Sequence, residues 1–198
     1  MTPRVSEKEV SSLSLSPAEV TALLEVSERR IRKEIEHGIL SSPQLDFEMV
    51  VYIKAIDRLA ELEPPVEWRR RVLVEIRNGF VHGHVTSVPE QVEVVKGVLQ
   101  LRLRALAEEV SDQVVPFYRW RAGRVVSDPE ILGGEPVFQG SRLSVRRIGE
   151  AVEGGEDVAT ILEDYPYLTR EDVEFARRYA RAYPRVGRPR ESSKAPAR

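Results

Sequence analysis

The chain has 198 residues, 41% of them hydrophobic, which is enough for one or two domains with buried cores. It has no cysteine and three histidines, which excludes disulfides, thiolate zinc sites and cysteine nucleophiles and leaves little for metal binding or acid–base chemistry. Its 30 basic and 32 acidic residues leave a net charge of −2, so any nucleic-acid-binding face has to be local and offset elsewhere. No apolar run is long enough to span a bilayer and the start, MTPRVSEKEVSS, lacks the apolar centre of a signal peptide, so a cytoplasmic location is expected.

Residues 15–40, LSPAEVTALLEVSERRIRKEIEHGIL, carry two helix starts of one design. Ser16 is placed to cap the first, with Pro17 at the first helical position, Glu19 closing a capping box and Leu15 stapled to Val20. Ser27 is placed to cap the second, with Val26 and Ile31 as staple and Gly38 as the left-handed stop. Val20, Leu23 and Leu24, then Ile31 and Ile35, recur at helical spacing on either side of a tight Glu25-Val26 turn, the pattern of a helix-turn-helix. With the isoleucines turned inward, Glu28, Arg29, Arg30, Arg32, Lys33 and Glu36 face out. Ser27, Arg29, Arg30, Arg32 and Lys33 are therefore the candidate DNA-contact residues, Arg29, Arg32 and Lys33 foremost; the plainer alternative is an ordinary solvated helix face. ILSSPQL then reads as a small two-stranded wing around Ser-Ser-Pro-Gln. Asp46 caps a third helix over 47–63 that is apolar on more than one face and so central to this unit.

Pro64-Pro65 ends that helix, and another follows from about Val66 to Asn78. Its Arg69, Arg70, Arg71 and Arg77 suit phosphate contacts and a solvated face equally well. FVHGHV (80–85) reads as a short strand or link, and His82 and His84 make a poor metal site without further ligands. From Pro89 to about Glu109, Val92, Val95, Leu99, Leu103, Leu106 and Val110 fit a long helix, with a second apolar row at Val94, Val98, Leu101 and Ala105. A helix apolar on two sides needs two partners. The second is expected to be another copy of the chain, a homodimer suited to a palindromic operator.

VVPFYRWRAGRVVSDP (114–129) alternates around Arg-Ala-Gly-Arg and predicts a β-hairpin. A clasp follows. Gly133 and Gly134 allow positive φ, Pro136 holds its predecessor extended, Val137-Phe138 is a buried strand stub, and a turn at Gly140 lets Arg142-Leu143 pair back. Helices are expected at 145–153, 157–164 and 170–183, the last boxed by Thr169 and Asp172, with Arg142 paired to the Glu163-Asp164 side. The double glycine matches neither a P-loop nor a dinucleotide motif. Asp128, Glu130 and Glu135 have no nucleophile to serve, so no catalytic residue, metal or cofactor is assigned and an enzyme is not expected.

SDPEILGGEPVFQGSRLSV, ILEDYPYLT and EFARRYARAYPRVGRPR resemble the family called domain of unknown function 433. The order of the whole chain, roughly 13 to 190, resembles VapB-type antitoxins that join that domain to an N-terminal helix-turn-helix. Ser141 stands where the family usually has threonine, a change that keeps the hydroxyl. The resemblance implies two tasks, neutralising a PIN-like ribonuclease toxin by direct binding and repressing the shared operon. By the same token Gly133, Gly134, Pro136, Phe138, Gly140 and Arg142 form a structural clasp that can also face the partner. A stand-alone helix-turn-helix transcription regulator with a partner- or ligand-binding C-terminal domain is the alternative.

The fold class expected is mainly α with small β-hairpins: an N-terminal helix-turn-helix, with or without a wing, and a C-terminal trihelical, homeodomain-like unit preceded by a β clasp. The divisions read as a flexible N-terminus (1–12), a DNA-binding domain (13–80), a connecting strand and long helix (81–113), the hairpin and trihelical domain (114–183) and a disordered basic tail (184–198). In the tail, Gly187-Arg188-Pro189 with Arg190 resembles an AT-hook core suited to a narrow minor groove. Arg188 or Arg190 entering the acidic site of a nuclease partner, and a merely solubilising tail, remain open beside it.

Overall fold

The computed structural model describes residues 13–41, 44–81 and 88–184. Among them are eight α-helices and two small antiparallel strand pairs. The first two helices, α1 (Pro17–Leu24) and α2 (Glu28–Glu36), start and stop as their sequence dictates. The Ser16–Glu19 capping box is complete, and Glu25 takes the left-handed conformation at φ 57° that turns the chain toward α2. Gly38, at φ 64°, ends α2, where Ile39 and Leu40 N–H groups donate back to the Glu34 carbonyl at 3.0 and 3.2 Å. Ser27 differs from expectation. Its backbone is extended and its carbonyl accepts from Arg30 N–H, but its hydroxyl makes no capping bond.

The predicted wing is not formed in the described residues. Leu45 pairs with Leu15, N–H to carbonyl in both directions at 3.0 and 2.8 Å, which ties the start of α3 to the residue before α1. Ser42 and Pro43, in the middle of the predicted turn, lie outside the described residues. Helix α3 (Phe47–Arg58) begins on an Asp46 cap, Oδ1 accepting from Met49 N–H at 2.7 Å, and is buried on almost every side. It stops at Arg58, five residues before the predicted Glu63. A 3-10 turn (Ala60–Leu62) and a left-handed Glu63 then lead into Pro64-Pro65. Helix α4 (Val66–Val81) runs three residues past the predicted Asn78, so Phe80 and Val81 are helical; His82 and His84 lie outside the described residues.

Two sequence expectations are overturned by the next segment. Residues 92–101 form a hairpin, β1 (Val92–Val95) with β2 (Leu99–Leu101), in place of a long helix from Pro89. The valines and leucines there satisfy both periods, and burial decides in favour of two. Val92 and Val94 are buried around an exposed Glu93, and Lys96-Gly97 turns the chain with Gly97 at φ 69° and its N–H donating to Glu93 at 2.6 Å. Helix α5 (Leu103–Arg124) then occupies the stretch expected to be a hairpin at 114–129. Val114, Phe117 and Trp120, every third residue, are buried, Phe117 and Trp120 against Phe175 of the last helix, and that tertiary contact overrides the local alternation. Its backbone breaks helical geometry at Ala107, and Pro116 sits inside the helix.

Only Val125–Val126 (β3) remains extended, paired with Val137–Phe138 (β4). The chain closes with α6 (Val145–Glu153), α7 (Val158–Asp164) and α8 (Arg170–Ala182), near the predicted bounds. Gly149 lets α6 and α8 touch: a Cβ there would lie 2.1 Å from the Ala176 carbonyl oxygen. Helix α5 joins the two halves, α3 packing on its first part and α8 on its last, so the buried residues form one contiguous core. No helix among the described residues is long and apolar enough to cross a membrane.

Candidate functional site

Helix α2 places its residues in two sets. Ile31 and Glu34 are buried and Ile35 half-buried, while Arg29, Arg32 and Lys33 are exposed on the other side together with Ser27. Among the described residues Arg32 pairs only with Glu28 one turn back at 3.3 Å, a surface contact worth a few tenths of a kcal/mol. Arg30 is half-buried and its Nε lies 3.1 Å from Asp57 at the end of α3, so it fastens α2 to its neighbour. Ser27, Arg29, Arg30 and Lys33 line one cleft of about 490 Å³ between α2 and the turn that leads into α4, which His37 at the end of α2 and Arg69 also line.

Glu34 is the residue that the sequence reading passed over. Its carboxylate is 1% exposed; one oxygen accepts from Tyr52 O–H at 2.6 Å and the other is paired with the Arg69 guanidinium from α4. Arg69 also contacts His37 Nδ1 at 3.1 Å, and Arg70 donates to the His37 carbonyl at 3.2 Å. Two of the four α4 arginines thus hold the far end of α2, and Arg69 is not available to a phosphate. Arg77 lies 3.6 Å from Asp46, and Arg71 is exposed. Burial in this cluster pushes the Tyr52 phenol far above its ordinary range, and the Glu34 contact adds to the effect, so Tyr52 remains a donor. The signal was present: Glu34 is three residues after Ile31, on the apolar stripe, where a carboxylate needs a partner.

A second cluster fixes the C-terminal half. Asp172 in the Thr169 capping box is 2% exposed. It accepts from Trp120 Nε1 at 2.9 Å and from Arg124 Nε and a terminal nitrogen at 2.8 and 2.6 Å. Burial works to raise its carboxyl, but the bonds from Arg124, Thr169 and Trp120 outweigh it and bring the pKa down to about 2. Glu109 on α5 behaves alike. Burial is outweighed by hydrogen bonds from Arg58, a backbone N–H and Lys54, which set it at about 2. The seam between the halves is polar too: Arg121 pairs with buried Glu19 of the first capping box and donates to the Ser14 carbonyl at 2.6 Å, while Tyr183 and Ser16 hydroxyls meet at 2.9 Å.

The clasp is built largely as the sequence implies. Gly133, Gly134 and Gly140 have φ of 66°, 88° and 75°, and Glu135 before Pro136 is extended. Phe138 is buried against Trp120, and its N–H donates to the Leu143 carbonyl at 3.0 Å. The acidic residues fasten the loop: Asp128 accepts from Glu130 N–H at 2.9 Å, and Glu135 accepts from the Ser144 hydroxyl at 2.6 Å. Arg142 departs from expectation. It is exposed, and among the described residues no ion pair joins it to Glu163 or Asp164; instead it borders a cavity of about 270 Å³ with Val126, Ile131, Val137, Gly140 and Ser141. The clasp turns back over Ser141 before α6 begins, so Arg142 is at its outer rim. Arg188 and Arg190 lie outside the described residues.

Over 93 residues the chain is 40% identical to a protein of Sinorhizobium fredii (strain NBRC 101917 / NGR234) named "Uncharacterized protein y4eO". That match covers 42% of each, so the chain spans less than half the length of this relative. No solved structure matches the chain. Residues 125–180, from β3 into α8, match the model of the family described as Protein of unknown function (DUF433), so the C-terminal segment carries that family's pattern.

Proposed function

We propose that the protein is a two-ended binding protein of the antitoxin kind, which represses its own operon through the N-terminal helices and neutralises a PIN-like ribonuclease through the C-terminal half. In this reading α1 and α2 act as a helix-turn-helix in cytoplasmic DNA, with Arg29, Arg32 and Lys33 on the operator and Ser27 beside a phosphate. Arg30 positions α2 through Asp57 and does not read bases. The observation that carries the reading is the exposure of Arg29, Arg32 and Lys33 on a helix anchored at its other face by Ile31 and by the Glu34–Arg69–Tyr52 cluster. A rigid helix with exposed cationic side chains is what groove recognition requires.

A homodimer belongs to the proposal only through operator symmetry. The segment whose two apolar faces argued for it, 89–109, is not one helix: 92–101 form a hairpin and a helix starts only at Leu103, which removes that argument. Gel shifts with the protein's own promoter test the DNA half: Arg29→Ala with Lys33→Ala is expected to abolish the shifted band, and an unchanged band refutes the assignment. Co-expression and capture with the neighbouring gene product test the other half.

A further inference from the structure

The clasp borders one small recess, apart from the cationic face of α2. Its walls are aliphatic, from Val126, Ile131 and Val137, and at about 270 Å³ it falls below the size of drug-like pockets while suiting a single aliphatic side chain. Its rim is cationic: Arg142 is exposed and has no ion-pair partner among the described residues. Gly140 and Arg142 both border the recess, and among the described residues the backbone N–H of neither is hydrogen-bonded, whereas those of Gln139, Ser141 and Leu143 are. Leu132, next in the chain to Ile131, is held at φ 49°, a conformation that costs a bulky residue energy, and is 49% exposed, while Val126 is 38% exposed.

An aliphatic recess bordered by Gly140 and Arg142, whose backbone N–H groups and guanidinium have no partner among the described residues, matches a ligand that carries an apolar side chain and a carboxylate on the same carbon. We infer that this recess captures the C-terminal residue of a partner polypeptide, with an aliphatic side chain between Val126, Ile131 and Val137 and the chain-end carboxylate on Arg142 and the free amides of Gly140 and Arg142. The inference rests on the reading that the C-terminal half binds a protein, and it names the face and the chemistry.

The test uses the full-length, isotope-labelled protein and three probes: acetyl-Ala-Ala-Leu with a free carboxyl end, the same peptide amidated, and acetyl-Ala-Ala-Ala with a free carboxyl end. The leucine acid is expected to shift the amide resonances of residues 126–142 saturably. The amide, and the Arg142→Gln variant with the leucine acid, are expected to bind roughly 10- to 100-fold more weakly, the range for losing a charged hydrogen bond, and the alanine peptide roughly 10- to 100-fold more weakly through lost burial of the leucine side chain. Because Arg142 is exposed and holds no other element, this variant keeps the fold, which its amide spectrum verifies. Unmoved resonances, or equal shifts by acid and amide, overturn the inference; if the partner protein is still captured by wild type and Arg142→Gln alike, the binding function stands without it. Shifts by the leucine acid with no partner captured uphold the recess and remove the functional reading.

Discussion

Replacing Arg69 with Met strands a buried carboxylate. Glu34 is 1% exposed, and among the described residues its only ion-pair partner is that guanidinium; Tyr52 supplies one neutral donor at 2.6 Å and cannot carry the charge. Removing one member of a buried ion pair costs about 3–5 kcal/mol, because the remaining charge keeps its desolvation penalty and loses its compensation. For a chain of this size each kcal/mol moves the melting temperature by about 2–4 °C, so Arg69→Met is expected to melt roughly 6–20 °C lower. Glu34→Gln in the same background removes the charge while leaving an acceptor for Tyr52, and the double variant is expected to recover about 1–3 kcal/mol of the loss. Urea denaturation followed by far-UV circular dichroism for wild type, both single variants and the double variant gives the four corners. If Arg69→Met costs less than about 1 kcal/mol, or the two changes simply add, then the pair does not anchor α2 and the argument for a rigid cationic helix fails with it.

Three further outcomes follow from the same geometry. If Arg29, Arg32 and Lys33 each meet one phosphate, the logarithm of operator affinity falls with the logarithm of salt at a slope of about −2.7, roughly 40-fold per half-site for a fourfold rise in salt, and a flat titration contradicts the contacts. Asp172 titrates near 3.8 in an unfolded chain and at about 2 in the fold; because the folded value is the lower, its contribution is present above pH 4 and disappears as the pH falls toward 2. That contribution is at most about 2 kcal/mol after screening, and denaturation midpoints between pH 7 and 3 should fall less steeply in Asp172→Asn than in wild type. Gly149→Ala drives a Cβ into the Ala176 carbonyl and should cost about 1–3 kcal/mol or more, whereas Gly123→Ala on α5 meets nothing within 4 Å and should stabilise by up to about 1 kcal/mol; thermal melts that rank the two the other way refute the close α6–α8 crossing.

What could be read from the chain is what neighbouring residues decide among themselves. The Ser16–Glu19 and Thr169–Asp172 boxes, the Asp46 cap, the Gly38 stop and the positive φ of Gly133, Gly134 and Gly140 are all where the sequence puts them, since each depends on atoms within a few residues. The exposed set on α2, Arg29, Arg32 and Lys33, was legible for the same reason: the spacing of Ile31 and Ile35 fixes which side turns outward. Tertiary contact settled the rest. Residues 92–101 carry a pattern that fits two periods, and 114–124 alternate like a strand yet are helical because Phe117 and Trp120 pack on Phe175 and Trp120 reaches Asp172. Arg69 looks like its neighbours Arg70 and Arg71 in the sequence, and only the approach of α4 to α2, 35 positions apart, makes it the counter-ion of Glu34. Local hydrogen bonding and side-chain periodicity are written in the chain itself, whereas a buried charge and an ambiguous period are resolved by whatever the fold brings against them.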